Sequence, residues 1–183
     1  MAIFEDGTGA GYTAKIDSKN RLYVDAITQT AEHYANTISG QAYHIVVEET
    51  ATGTNDVIFY LQNTSTNNNI IIEGFDYRVA SAETIEIYRN PLGTTAGGTA
   101  VLPVNANTSS AKTLSATVES GSDITGLTNG QLLDRIFLTS TESSNFNFNV
   151  DFVIAPGGSF SLRAVTGSVQ VNLTIQCYEE GTV

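Results

Sequence analysis

From Asn145 to Gln176 apolar and polar residues alternate through three passes separated by two Gly-bearing turns, and this pattern limits the fold more than any other. Side chains of an extended strand point to opposite faces in turn. Phe146, Phe148, Val150, Phe152 and Ile154 therefore share one face, with Asn147, Asn149 and Asp151 on the other. Ala155-Pro156-Gly157-Gly158 turns the chain into a second pass, where Phe160, Leu162 and Ala164 oppose Ser159, Ser161 and Arg163. After Thr166-Gly167-Ser168 a third pass sets Val169, Val171, Leu173, Ile175 and Cys177 against Gln170, Asn172, Thr174 and Gln176. A slip of one residue would carry each apolar face into water, so register is tightly specified. The three passes read as a β-meander at the centre of the fold, with no chemistry in it.

A chain of 183 residues suits one domain with a full core plus a terminal arm. The many β-branched residues and turn formers favour an all-β protein. With 8 basic against 19 acidic residues the net charge is -11, which repels phosphate backbones and argues against nucleic acid as a partner. Cys177 is the single cysteine, so no internal disulfide can form, and its place on an apolar strand face reads as a small buried hydrophobe. No basic and apolar leader opens the sequence, and no apolar run is long enough to span a bilayer. The expectation is a soluble product made in a cytoplasm, with no membrane partner.

Residues 1–42 read as an N-terminal arm and 43–183 as the β domain. Met1 to Thr13 is Gly- and Thr-rich, and Ala14 to Val24 forms a short extended pair around Ser18-Lys19-Asn20. Thr28 to Asn36 is compatible with one or two helical turns capped by Thr28 or Thr30. Strands are then expected over Tyr43–Glu48, Asp56–Gln62 (buried on both faces), Ile70–Val79 with a bulge at Gly74, Thr84–Arg89, Ala100–Val104, Thr113–Glu119 and Leu132–Thr139. Asn63–Asn69, Leu92–Thr99, Asn105–Ala111 and Gly121–Gly130 read as loops. Roughly nine or ten strands at such spacing point to a sandwich or barrel. The long loops favour a jelly-roll-like β-sandwich of two antiparallel sheets over a meander throughout or an immunoglobulin-type sandwich, which lacks its Cys and Trp signature here.

Candidate chemistry is sparse. His33 and His44 are the only imidazoles, one in the arm and one at a strand start, and no Gly-x-Ser-x-Gly elbow accompanies them. Glu48-Glu49 and Glu179-Glu180 read as solvated strand ends on alternate faces, while Glu119, Glu142 and Asp151 have nothing in the sequence to bring them together. Asp17-Ser18-Lys19-Asn20 fails as a calcium loop because Lys19 stands where an oxygen ligand is needed. Gly93–Gly98 lacks the lysine and following helix of a phosphate loop, and reads as a mobile turn. The Asn-x-Ser/Thr triplets at Asn63, Asn107 and Asn172 read as chance products of composition. No catalytic residue, metal site or cofactor is expected. Tyr12, Tyr23, Tyr34 and Tyr43, read as exposed, could pack on a neighbouring subunit or stack on a glycan, with subunit packing favoured.

Ala14-Lys15-Ile16-Asp17-Ser18-Lys19-Asn20-Arg21-Leu22-Tyr23-Val24, followed by Gly40-Gln41-Ala42-Tyr43, Tyr88-Arg89-Asn90-Pro91 and Phe152-Val153-Ile154-Ala155-Pro156-Gly157-Gly158-Ser159, resembles tailed-bacteriophage virion structural proteins. The likeness is one of layout and carries no invariant ligand motif. It implies a jelly roll or related sandwich, often a homotrimer, that is found in the host cytoplasm before assembly and then decorates a capsid exterior or belongs to a fibre. The implied partner is the major capsid protein or another virion protein. Contact residues expected in the arm are Lys15, Ile16, Arg21, Leu22, Tyr23, Val24, His33 and Tyr34. The competing expectations are a carbohydrate- or receptor-binding module using the Asn- and Thr-rich loops, and a hydrolase needing carboxylates clustered in a cleft.

Overall fold

A computed structural model of the 183-residue chain describes residues 15–16, 22–23, 31–128, 130–139 and 143–181. Contacts divide the chain into two compact units, Met1–Thr30 and Ala31–Val183. In the first, β1 (Lys15–Ile16) pairs antiparallel with β2 (Leu22–Tyr23), which is the short extended pair anticipated. Its turn, the Gly-rich start with Tyr12, and the caps at Thr28 and Thr30 lie outside the described residues. The second unit begins with α1 (Ala31–Tyr34), which runs into a π-helical turn over Ala35–Ser39 and stops at Gly40, held left-handed at φ 61°. Residues 31–42, read above as part of the arm, belong to this unit, where Ala35 and Ala42 pack against Ile71 and Tyr178.

Strands fill the rest: β3 (Ala42–Thr50), β4 (Asp56–Asn63), β5 (Asn68–Val79), β6 (Glu83–Arg89), β7 (Leu92–Ala96), β8 (Thr99–Ala100), β9 (Val104–Asn105), β10 (Ala116–Ser120), β11 (Thr125–Thr128), β12 (Gln131–Leu138), β13 (Ser143–Ile154), β14 (Ser159–Ala164) and β15 (Gln170–Gly181). One antiparallel sheet has the order β12-β6-β14-β4-β10-β8, a second has the order β13-β5-β15-β3-β9, and β7 and β11 form a separate ribbon. A single core joins the two sheets. Ile45 and Val47 of β3, Phe75 of β5 and Leu173 and Ile175 of β15 belong to the same buried cluster as Phe59 and Leu61 of β4, Ile85 and Ile87 of β6, and Phe160 and Leu162 of β14. Each such side chain contributes about 1.5–3 kcal/mol through burial. The protein is an all-β sandwich of antiparallel sheets, as the strand spacing predicts.

The three passes of the opening pattern do not make a meander. β13 and β15 share the five-stranded sheet with β5 between them, and β14 lies in the opposite sheet. The reason is burial: Ser159 and Ser161 are as enclosed as Phe160, Leu162 and Ala164, so β14 is covered on both faces and suits the middle of a layered sheet. Alternation assigns faces to a strand and leaves its neighbours open.

Other expectations meet the structure unevenly. The apolar run of β4 is buried through Ile58, Phe59, Tyr60 and Leu61 as expected. Gly74 sits at a bulge in β5, where a side chain would place its Cβ 2.2 Å from the Phe146 carbonyl oxygen. Asn63 does not start a surface loop: it is fully buried, and its Nδ2 donates to the carbonyls of Asn68 and Ile154, each at 2.8 Å. Side-chain bonds to backbone make a buried asparagine affordable there. Leu92–Thr99 and Gly121–Gly130 are not loops throughout, since β7 and β11 pair within them, and Ala100–Val104 breaks at Pro103 into β8 and β9 on different sheets.

The excursion between β6 and β12 shapes the flanks. It lays β10 and then β8 beside β4, and β9 beside β3. At the other ends of the two sheets the order terminates on β12 and β13.

Candidate functional site

Outward-facing positions of the five-stranded sheet line an open groove of ≈ 650 Å³. Two cross-strand rows build it. Val46, Thr174, Asp76 and Asn145 stand opposite one another across β3, β15, β5 and β13, and Glu48, Asn172, Arg78 and Ser143 form the next row. These residues face out because their neighbours Ile45, Val47, Phe75, Leu173 and Ile175 are drawn into the core. Gln176 Nε2 donates to Asp76 Oδ2 at 3.1 Å, and Gln170 Nε2 donates to Glu48 Oε1. The side chains of Arg78, Asn145, Asn172 and Thr174 make no hydrogen bond or ion pair among the described residues, so the groove keeps donors and acceptors of mixed kind available. A second hollow of ≈ 510 Å³ lies between Asn90–Gly93 and Ala155–Ser159, with Arg89 and Val153 on its wall.

The buried carboxylates are structural. Glu86, on the outward face of β6, accepts from Arg135 Nε at 2.7 Å, from the Tyr88 hydroxyl at 2.9 Å, and from Arg163 through Nε at 2.9 Å and through Nη2. The Arg163 guanidinium lies 4.7 Å from the Tyr88 ring centre and also donates to its hydroxyl. Burial pushes the Glu86 carboxyl up, but these hydrogen bonds and the Arg163 charge outweigh it and hold the group below its ordinary value. Glu83 accepts from the backbone N–H groups of Thr166 and Gly167 at 2.7 and 3.0 Å, fixing the turn before β15. Glu179 is not the solvated strand end expected of it. It is buried, accepting from Ser115 N–H at 2.6 Å and Gln41 Nε2 at 3.1 Å, so one carboxylate ties the loop before β10 to β15.

Cys177 is buried as expected, and its thiol is pushed up to about 12 by burial first and then by the charges of Glu179 and Glu73. Tyr43, read as exposed, is 1% exposed; it belongs to the core, and burial followed by the Glu179 charge raises its phenol to about 12. An aromatic ring at the start of a strand facing the second sheet is more stable inside than out. His33 is exposed on α1 and His44 is exposed on β3. Among the described residues no three His, Cys, Asp or Glu side chains converge as a metal site requires, and no helix is long and apolar enough to cross a membrane.

The expected contact residues fall in both units. Lys15 and Ile16 lie on β1, Leu22 and Tyr23 on β2, and His33 and Tyr34 on α1, with Tyr34 53% exposed. Arg21 and Val24 lie outside the described residues. The polar residues of the first and third passes are not neighbours: Asn172 and Thr174 stand beside Arg78 and Asp76 of β5, with β13 one strand further away. The outward setting of Asp76 and Arg78 was readable from their alternation with Phe75, Tyr77 and Val79. Their meeting with Glu48 was not, because it depends on β15 entering between β5 and β3. Comparison with protein-family models, characterised proteins and solved structures finds no match for this chain.

Proposed function

We propose that this chain is a non-enzymatic virion structural protein of a tailed bacteriophage, a jelly roll that decorates a capsid and stabilises it by bridging neighbouring capsid subunits. The strand order carries this reading. Taken along the chain, β3, β5, β13 and β15 enter one sheet and β4, β6, β12 and β14 the other, so the chain crosses repeatedly between layers instead of completing one sheet first. Such crossing is the connectivity of jelly rolls, a fold used by viral capsid and lectin domains. Further support comes from the engagement of Glu83, Glu86 and Glu179 in bonds that hold turns and sheets together, a use of carboxylates suited to a load-bearing shell.

In this role the arm, with Lys15 of β1 and Arg21, the residue before β2 in the sequence, anchors the protein and the sandwich spans the join between subunits. The test is binding of the purified chain to capsids stripped of decoration. A K15E/R21E variant is expected to keep the unfolding transition of the sandwich and lose capsid attachment; undiminished attachment would refute the anchoring role. The groove on the five-stranded sheet favours one second reading, a glycan-binding module, because its free amides and hydroxyls match the alternating donors and acceptors of a sugar. N145A/N172A would then abolish binding on a glycan array, and an array with no bound glycan removes this reading.

A further inference from the structure

β12 is an edge strand whose inward residues Ile136 and Leu138 are buried, while Leu132, Leu133 and Phe137 are exposed by 44%, 42% and 76%. Among the described residues no strand lies beyond β12, so its outer side presents backbone N–H and C=O groups as a template for another strand. The strand is irregular between Leu132 and Asp134 and regular from Asp134 to Leu138. Its charged residues are one adjacent pair, Asp134 and Arg135. On a chain of net charge -11, two copies repel wherever acidic surface meets acidic surface, and they can approach where the patch is neutral and apolar. β12 supplies such a patch.

We propose that β12 is the contact through which two copies of this chain associate, antiparallel, about a local two-fold axis passing through Ile136. Opposed residues of an antiparallel pair project to the same face, so outward residues must meet outward residues. Arg135 and Phe137 are both outward, standing opposite Glu86 and Thr84 of β6. An axis through Asp134 or Arg135 would set like charges directly against each other, which is unfavourable. An axis through Ile136 sets Phe137 of each copy against Arg135 of the other, and symmetry makes the contact twice. Glu86 holds Arg135 by its Nε at 2.7 Å, so the outer nitrogens of the guanidinium stay available to lie over the ring. The two six-stranded sheets become continuous across the dimer. This pairing does not depend on the capsid role.

Sedimentation equilibrium of the full chain tests it, with the urea unfolding midpoint as the control for fold. The wild type is expected to dimerise with concentration. Phe137→Lys places an ammonium against Arg135 and is expected to weaken the dimer by about tenfold or more. Phe137→Asp removes the same ring but places a carboxylate there, and is expected to weaken it less. A wild type that stays monomeric, an assembly indifferent to Phe137→Lys, or equal weakening by the two variants overturns the proposal. So does a monomer that binds a capsid subunit through β12, which would assign the edge to a foreign strand.

Discussion

On the β3/β4 flank the excursion between β6 and β12 adds β10 and β8 to one sheet and β9 to the other, and Glu179 clamps the loop before β10 by accepting from Ser115. On the β12/β13 flank the sheets end on strands with exposed Phe137, Leu132 and Val153. Inside that second flank the packing is aromatic. Phe59, Phe160, Phe152, Phe148, Phe146 and Phe75 form a continuous run with successive ring centres 5.1 to 5.8 Å apart, leading from the six-stranded sheet to the five-stranded one. Polar bonds finish the first flank and half-buried rings finish the second. The difference teaches that strand edges are guarded selectively: an apolar edge with no described strand beyond it is suited to contact, while an edge wrapped by the chain itself serves stability.

That contrast can be broken by mutation. Phe160→Ala, at a fully buried ring of the run, is expected to cost about 3–5 kcal/mol in urea unfolding, whereas the half-buried Phe148→Ala costs clearly less. Equal losses would mean that the open flank is packed as firmly as the centre. On the wrapped flank, Glu179→Ala leaves the Ser115 N–H without its acceptor and is expected to cost about 1–3 kcal/mol, with hydrogen exchange accelerated at Ser115. If exchange there is unchanged, the clamp is not what holds the loop.

A subtler effect concerns pH. Glu86 has a folded value below its unfolded one, so its contribution is complete above the unfolded value and is lost as pH falls through the folded value. Stability measured from neutral to acid pH should therefore decline in the carboxylate range, and Glu86→Gln should flatten part of that decline. The smallest change is expected at Phe137→Ser, within about 0.5 kcal/mol for the fold because the ring is 76% exposed. A large loss there would place β12 within the packed interior and undo the comparison.

Much of the layout was legible in the alternation of residues. Ile45 and Val47, Ile85 and Ile87, and Val171 through Cys177 face the core as their spacing predicts, and Gly74 marks a real bulge. Pairing partners were not legible. Nothing local to β13, β14 and β15 says that the middle pass belongs to the other sheet, because that choice is made by contacts of β14 with β4 and β6, far away in sequence. Polar residues misled for a related reason: Asn63 and Glu179 look solvated until the carbonyls and N–H groups that meet them are in place. The groove was invisible because its two rows draw on four strands brought together only by the finished sheet.

The position of β15 between β5 and β3 also has a kinetic side. Cys177 pairs with Tyr43 and Val171 with Val79, so the centre of the five-stranded sheet closes over long stretches of chain. Folding dominated by such distant pairings takes milliseconds to seconds in small domains. Until β15 inserts, β3 and β5 both present unfilled edges next to apolar faces, the state in which nascent chains stick to one another. Yield during expression should therefore depend on temperature and chain concentration more steeply than the stability of the finished sandwich does.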